Sequence, residues 1–404
     1  MTVRSAQAGV RGERGRSDCW VEVEPRSTGG LDLSVTTKVE AMYGDRVRAT
    51  CRDVLAALGV ENARVVIEDR GALDYALAAR LEAAVARAGL GNGRTFLPPA
   101  GPGLQAAARR ERPRRSRLYL PGNDPKLFLN AHLHGPDGII LDLEDSVAPA
   151  SKDEARFLVR NALRSVDFGR SERMVRINQG ERGLGDVDAV APHNVHVLLL
   201  PKVESAEQVR AVDDRVHRAG ASCLLMPIIE SALGCFNALA IASASPSVVA
   251  LTIGLEDYTA DIGTERTREG KESLWARQVV VNAARAAGIT PIDSVFSDVA
   301  DTEGLRQSVL EARALGFEGK GCIHPRQVSV VHEAFAPTEA EIDRAVRIVL
   351  AFEDAERKGL GVVALGSKMI DPPVVKRALR VVDGAEALGL LPRDWRARNG
   401  TGAP

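Results

Sequence analysis

The sequence predicts an α/β protein built on a (β/α)8 barrel over residues 114–335, with a helical segment after it and a small α+β unit before it. Short apolar runs, each followed by a helical stretch, recur eight times between residues 114 and 335. Nearly every run ends in an ionisable residue, as expected where βα loops gather polar groups at the carboxyl ends of barrel strands. No GxGxxG follows the first run, which argues against a dinucleotide-binding sheet.

Residues 1–90 read as the α+β unit. Trp20–Val23, Leu31–Val35 and Arg64–Ile67 are short strands, and Val39–Leu58 is helical. A second helix follows Gly71, with Leu73, Leu77, Leu81 and Val85 stacked at every fourth position. Residues 91–113, rich in Gly and Pro, read as a linker that ends in a basic cluster of Arg109, Arg110, Arg112, Arg114, Arg115 and Arg117. The cluster reads as a solvated linker end, except that Arg117 opens the first barrel strand and could reach an anionic ligand. The eight runs are Leu118–Leu120, Gly138–Leu141, Met174–Ile177, Val195–Leu200, Cys223–Ile229, Val248–Ile253, Ile289–Val295 and Gly321–Ile323. Residues 336–392 then hold a helix from Thr338 to Arg357, opened by a Thr338/Glu341 capping box, an irregular stretch, and a last helix from Val374 to Leu388. Residues 393–404 read as a frayed polar tail.

The chain of 404 residues is 45% apolar and 26% charged, which is globular; aromatics are only 4%, so Ala, Val, Leu and Ile must build the core. Lys plus Arg (53) balances Asp plus Glu (54), giving no case for a nucleic-acid partner. Five scattered cysteines without a CxxC pair predict neither a disulfide framework nor a zinc site. The N-terminus lacks a signal-like apolar segment, and no apolar run approaches the ~18 residues of a membrane span. A cytoplasmic protein with no membrane partner is expected.

The strand ends carry the chemistry. Glu230 and Asp257 end consecutive runs and can face one another across the mouth. With no His or Cys beside them they suit a hard cation, Mg²⁺, with Mn²⁺ as the alternative. The bland reading makes them a carboxylate pair held by Lys202 and Arg176. A lone strand arginine is usually structural, but in this company the fork of Arg176 points to a carboxylate ligand. Glu144 and Lys202 end two further runs, and Gly122 and Asn123 close the first and are assigned to substrate. His324, before a proline, reads as structural.

At these residues the sequence resembles the citrate lyase β chain and its relatives in the HpcH/HpaI aldolase/citrate lyase group, which cleave citryl, malyl and citramalyl thioesters. The matching stretches are RSRLYLPGNDP (115–125), DGIILDLEDSVAP (137–149), VRIN (175–178), LLPKVES (199–205), PIIESALG (227–234), IGLEDYTADIG (253–263), GFEGKGCIHPRQV (316–328) and GSKMIDPPVVKRA (366–378). The resemblance implies a TIM barrel with a C-terminal lid, assembled into trimers or larger homo-oligomers. It implies metal binding by Glu230 and Asp257, and carboxylate binding by Arg176. It also implies that a lid residue, Asp371, completes the neighbouring subunit's site.

EDRGALDYALAARLEAAVARA (68–88) and the helix before it resemble the citrate lyase γ chain, an acyl carrier. That resemblance implies a phosphoribosyl-dephospho-CoA arm on Ser17, in GRSDCWVEVEP (15–25), where the Gly of the family's ESGD-like motif is missing. The bland reading makes Ser17 an ordinary serine of a disordered arm. Together the two resemblances imply a lyase that cleaves a citryl-type thioester to oxaloacetate and an acetyl thioester, tethered to its own carrier and served by an α-type acyl-transferase subunit. Alternatives are a lyase for free citramalyl-CoA or malyl-CoA with a vestigial carrier, an aldolase releasing pyruvate, and a non-catalytic scaffold subunit.

Overall fold

The structure is a computed structural model that describes residues 5–12, 15–101, 107–359, 363–365 and 368–400. The N-terminal domain contains β1 (Ala6–Gly9), β2 (Cys19–Pro25), β3 (Leu31–Thr37), α1 (Glu40–Ala57), β4 (Ala63–Asp69) and α2 (Asp74–Arg87). Its sheet runs β1-β2-β4-β3, with β3 parallel to β4 and α1 as the crossover. Cys19, Val21 and Val23 alternate inward beside Ala63, Val65 and Ile67, so period-two patterning buries one face under the helices. Helix α2 buries Leu77, Leu81 and Val85, but Leu73 lies outside the stripe, 48% exposed at the helix N-cap. Strand β1 was not expected, because AQAG carries no apolar alternation.

The eight expected strands all form. They are β5 (Ser116–Pro121), β6 (Gly138–Asp142), β7 (Glu172–Arg176), β8 (Val197–Leu200), β9 (Leu224–Ile229), β10 (Ala250–Ile253), β11 (Thr290–Asp293) and β12 (Gly319–Cys322). All pair in parallel, and β12 joins β5 to close the barrel, so no edge is left open. Ile140, Met174, Val197, Leu199, Met226, Ile228, Ala250 and Ile292 fill the interior below the mouth. Around it lie α3 (Lys152–Ser165), α4 (Gly180–Val190), α5 (Ala206–Arg218), α6 (Ala232–Phe236), α7 (Ala238–Ala242), α8 (Leu255–Asp261), α9 (Leu274–Ala286), α10 (Thr302–Leu315) and α11 (Arg326–Phe335).

Helix α2 is buried on nearly every side because its second face packs on α3. The contact is ionic as well as apolar. Arg160 of α3 grips Glu82 of α2 (3.0 Å), and both are buried. Tyr75 Oη donates to the Pro125 carbonyl at 3.2 Å, and Asn161 donates to the Tyr75 carbonyl at 3.1 Å. Breaking a buried pair by removing one partner costs about 3–5 kcal/mol.

The Gly/Pro segment is laid against the barrel where it is described. Arg160 and Arg164 donate to the Phe96 and Pro98 carbonyls. The expectation of a solvated basic cluster fails for its second half. Arg112 holds the Asp137 and Arg170 carbonyls, and Arg115 pairs with Asp137. Arg114 is buried and bidentate with the buried Glu172 (2.7 and 2.8 Å). These arginines at the strand entrance are therefore anchors, because Arg112, Arg114 and Arg115 each find a carbonyl or carboxylate at the start of β6 or β7.

Residues from His332 onward form a separate compact unit. Here α12 (Glu339–Arg357) opens on the expected Thr338/Glu341 capping box. A hairpin of β13 (Val363–Leu365) and β14 (Lys368–Ile370) follows, then α13 (Pro372–Ala387) and α14 (Trp395–Gly400). The irregular stretch is thus partly a hairpin; Gly366 and Ser367 lie outside the described residues. The expected frayed tail is corrected too. Trp395 is fully buried against Val382 and Ala385, and its indole N–H donates to Glu386.

Candidate active site

The carboxyl ends of β5, β6, β7, β9, β10 and β11 surround a cavity of about 260 Å³. Its lining includes Arg117, Tyr119, Asp142, Asp145, Arg176, Glu230 and Asp257. Asp142 ends β6 and Arg176 ends β7, side by side in register. Their side chains form a two-point ion pair at 2.7 Å on each arm. The remaining Arg176 nitrogen, Nη1, lies 2.9 Å from Glu144. Burial works on Asp142 to raise its pKa, but the Arg176 fork, the Ser146 side chain and the Glu144 amide outweigh it and hold the carboxyl below its ordinary range. Arg176, against its own burial, is held well above the ordinary arginine value by the same contact.

Lys202 follows β8 in a left-handed conformation (φ 51°), a strained geometry for a non-glycine residue. That turn aims its amide at Glu230 (2.7 Å) and its ammonium at Glu144 (3.0 Å) and Asp257 (3.3 Å). Burial opposes its charge, yet Glu144, Asp145 and Asp257 raise its pKa. Glu144 is itself pushed up, chiefly by burial.

Glu230 is 6% exposed, and Asp257, one turn into α8, is half-exposed beside it. Burial drives the Glu230 carboxyl up to about 7; the Lys202 amide opposes this and Asp257 adds to it. Gly254 leaves room for this carboxylate, because a Cβ there would lie 2.4 Å from Glu230 Oε1 and displace it. Carboxylates outnumber cations around the mouth: Asp142, Glu144, Asp145, Glu230 and Asp257 face Arg117, Arg176 and Lys202. That donor set fits a hard divalent cation. No group of three or more His, Cys, Asp or Glu suited to a metal occurs among the described residues. A cation on Glu230 and Asp257 would complete its shell with water or ligand oxygens.

The structure therefore brings Glu144, Arg176, Lys202, Glu230, Asp257 and Arg117 to one mouth. Gly122 and Asn123 sit on its rim with other partners. The Gly122 amide donates to the Asp142 carbonyl at 2.7 Å, an approach that leaves no room for a Cβ. The Asn123 carbonyl accepts from Arg80. His324 accepts the Arg326 amide, a local cap. Asp371 belongs to the C-terminal unit, where it caps α13 through the Val374 amide at 3.1 Å. Ser17 lies in the N-terminal domain, half-buried in a left-handed turn (φ 59°). Asp18 is buried in a two-point pair with Arg80 (3.0 and 2.8 Å). Sequence reasoning missed Asp142 as the partner of Arg176; its place in DLEDS was the available signal. Tyr119, with Arg176 5.3 Å over its ring, looked like one more apolar strand residue.

A closed parallel barrel with acidic, cation-poor strand ends is the architecture of a barrel enzyme whose chemistry sits at the carboxyl end of its strands. Residues 115–325 match the model of the HpcH/HpaI aldolase/citrate lyase family. The citrate lyase subunit beta of Leuconostoc mesenteroides is 42% identical over 290 residues, covering 70% of this chain and 96% of that protein. The mitochondrial citramalyl-CoA lyase of Mus musculus is 37% identical, covering 68% and 87%. Among solved structures, the CitE protein of Mycobacterium tuberculosis in complex with magnesium, acetoacetate and coenzyme A is 32% identical with a TM-score of 0.59. That match covers 69% of this chain and all of that one. The chain belongs to the HpcH/HpaI aldolase/citrate lyase family. Residues 3–88 match the model of the malonate decarboxylase delta subunit, an acyl-carrier protein, so the N-terminal domain is acyl-carrier-like. No helix among the described residues is long and apolar enough to cross a membrane.

Proposed function

We propose that the protein is an Mg²⁺-dependent carbon–carbon lyase that cleaves a citryl-type thioester, carrier- or CoA-bound, to oxaloacetate and an acetyl thioester. The observation that carries this reading is the Glu230–Asp257 pair, with a buried carboxyl raised to about 7 in a mouth where acids outnumber bases. Such a pair is short of positive charge, and the CitE complex with magnesium supports that cation as the one it takes. Bound there, Mg²⁺ would supply Lewis-acid chemistry, acidifying the substrate hydroxyl and stabilising the keto acid.

The chain's own residues do the rest. Glu144, whose proton affinity burial raises, takes the hydroxyl proton. The C–C bond breaks, its electron pair passes into the thioester enolate, and Asp371 from a neighbouring chain of a homo-oligomer protonates the enolate carbon. Lys202 orients the leaving carbonyl, and Arg176 fixes the mouth by holding Asp142 and Glu144 in place.

The carrier-like domain supports a covalent phosphoribosyl-dephospho-CoA arm on Ser17 and an α-type acyl-transferase partner. A second reading, cleavage of free citramalyl-CoA or malyl-CoA with a vestigial carrier, is favoured by one specific observation. Asp18, beside Ser17, is already committed to Arg80. The test is a turnover panel of citryl-CoA, citramalyl-CoA and malyl-CoA with Mg²⁺ and with EDTA. Cleavage that EDTA and Asp257→Asn both abolish is expected. Undiminished turnover in EDTA removes the metal from the proposal, and no turnover on any of the three removes the lyase.

A further inference from the structure

We infer that Arg117 is the residue that selects the substrate: its guanidinium receives a second carboxylate on the keto-acid half of the thioester, favouring citryl over citramalyl or malyl. The inference rests on the lyase reading above and narrows its substrate class.

Arg117 is fully buried, and its side chain lines the cavity that Glu230, Asp142 and Arg176 also line. Four buried arginines meet an acid, Arg114 with Glu172, Arg80 with Asp18, Arg160 with Glu82 and Arg277 with Asp293, as does the less buried Arg176 with Asp142. Arg117 has none. Nη1 donates to Thr252 Oγ1 at 3.2 Å and to Met226 Sδ at 3.1 Å; Nη2 reaches only the Asp293 carbonyl, at 3.5 Å. Nε is buried with no partner at all. The Asp293 carboxylate is held elsewhere, by Lys320 at 2.6 Å and Arg277 at 3.1 Å. Burial accordingly lowers the Arg117 pKa. A guanidinium buried without a counter-ion is destabilising, and an incoming anion would relieve that.

Glycines flank this side chain in the barrel. In both neighbouring strands the residue in register with Arg117 is glycine, Gly138 on β6 and Gly321 on β12. A Cβ at Gly138 would lie 3.7 Å from Arg117 Cγ and crowd Met174 at 2.5 Å, and one at Gly321 would crowd Val295 at 2.6 Å.

Substrate chemistry supplies the ligand. Citryl, citramalyl and malyl thioesters share the thioester arm and a carbon bearing hydroxyl and carboxylate. They differ in the last substituent on that carbon: carboxymethyl, methyl or hydrogen. A methyl or hydrogen needs no cation beneath it, and would leave Arg117 unpaired. A carboxymethyl group brings the missing anion. Arg176 is poorly suited to this task, since Asp142 and Glu144 already occupy its donors. Sites built around a buried polar partner discriminate strongly against analogues that lack it.

The experiment measures kcat/KM for citryl-CoA and citramalyl-CoA with wild type, Arg117→Met and Arg117→Lys, and the binding of oxaloacetate and pyruvate by titration calorimetry. Wild type should prefer citryl-CoA and bind oxaloacetate more tightly than pyruvate. In Arg117→Met the citryl-to-citramalyl ratio should fall about 100-fold or more, with the oxaloacetate-to-pyruvate affinity ratio falling in parallel. If the methionine variant does not fold, Arg117→Lys carries the comparison, because losing the planar fork should lower both ratios. Unchanged ratios in a folded variant overturn the inference, as does a wild type that cleaves citramalyl-CoA at least as well as citryl-CoA. Either result leaves the lyase assignment standing, whereas no cleavage of any hydroxyacyl thioester in Mg²⁺ removes the reading beneath both.

Discussion

Replacing Glu230 by Gln should abolish turnover and yet raise the thermal stability of the metal-free protein. Both effects come from one buried charge. Glu230 is 6% exposed and accepts the Lys202 amide at 2.7 Å, and its carboxyl sits at about 7 instead of its ordinary 4.5. The folded protein therefore holds a proton that the unfolded chain releases between those two values. Stability is fully present below about pH 4.5 and is lost as pH rises through about 7. A gap of about 2.5 pH units at ~1.4 kcal/mol each gives a penalty of roughly 3 kcal/mol at pH 8. Glutamine keeps an acceptor for the Lys202 amide and removes the charge.

For a barrel of this size ~2–4 °C per kcal/mol is usual, so the variant should melt roughly 5–10 °C higher at pH 8 in EDTA. At pH 5 the difference should shrink to about 1 kcal/mol or less. Calorimetric melts at the two pH values read this directly. Saturating Mg²⁺ should narrow or reverse the gap, because binding at about 100 Kd stabilises the wild type alone by about 2.7 kcal/mol. No gain at pH 8, or an equal gain at both pH values, would refute the argument that Glu230 is a strained, cation-seeking carboxylate.

If Asp371 acts in a neighbouring chain's site, subunit exchange between inactive Asp371→Asn and inactive Asp257→Asn proteins should restore activity toward a quarter to a half of wild type. Proven exchange without recovery places Asp371 in its own chain's site or outside catalysis. Intact mass of protein co-expressed with the matching transferase should show one phosphoribosyl-dephospho-CoA, lost in Ser17→Ala, and that variant should still cleave added citryl-CoA. An unmodified mass with full activity on free CoA thioesters favours the vestigial-carrier reading.

The barrel was legible because period and punctuation agree: eight apolar runs, nearly every one ending in an ionisable residue, map onto β5–β12 within a few residues. The acidic mouth followed from the same rule, since a charged residue at a strand's carboxyl end has solvent or a ligand to meet. What could not be read was the pairing. Arg176 carries the signal of a ligand-binding fork, yet Asp142, two residues before Glu144 and in register across the sheet, takes both arms. Arg117 was legible as the one arginine of its cluster that could reach an anion, but not its burial in the barrel beside two glycines from other strands. Pairing depends on register between strands far apart in the chain, and residue type alone does not encode it. Lys202 shows the same limit. Its left-handed turn is what lets amide and ammonium serve different carboxylates, and nothing in PKVES announces a positive φ.

The same arginine-for-carboxylate logic changes what the N-terminal domain can do. A tethered carrier usually gains effective concentration through a loose linker. Here the segment from Phe96 to Gly101 is hydrogen-bonded along α3, and α2 is fastened to α3 by Arg160 and Glu82. Arg80 ties three parts together: the carboxylate of Asp18, the carbonyl of Asn123, and Glu154 of α3 at 3.4 Å. Asn123 lies in the loop after β5, at the same end of the barrel as Glu230 and Asp257, and Asp18 directly follows Ser17. One guanidinium thus holds the turn of the proposed attachment serine against the loop that rims the mouth. With the domain held in this way, reach would have to come from the proposed prosthetic arm, which would begin its path already at the catalytic end.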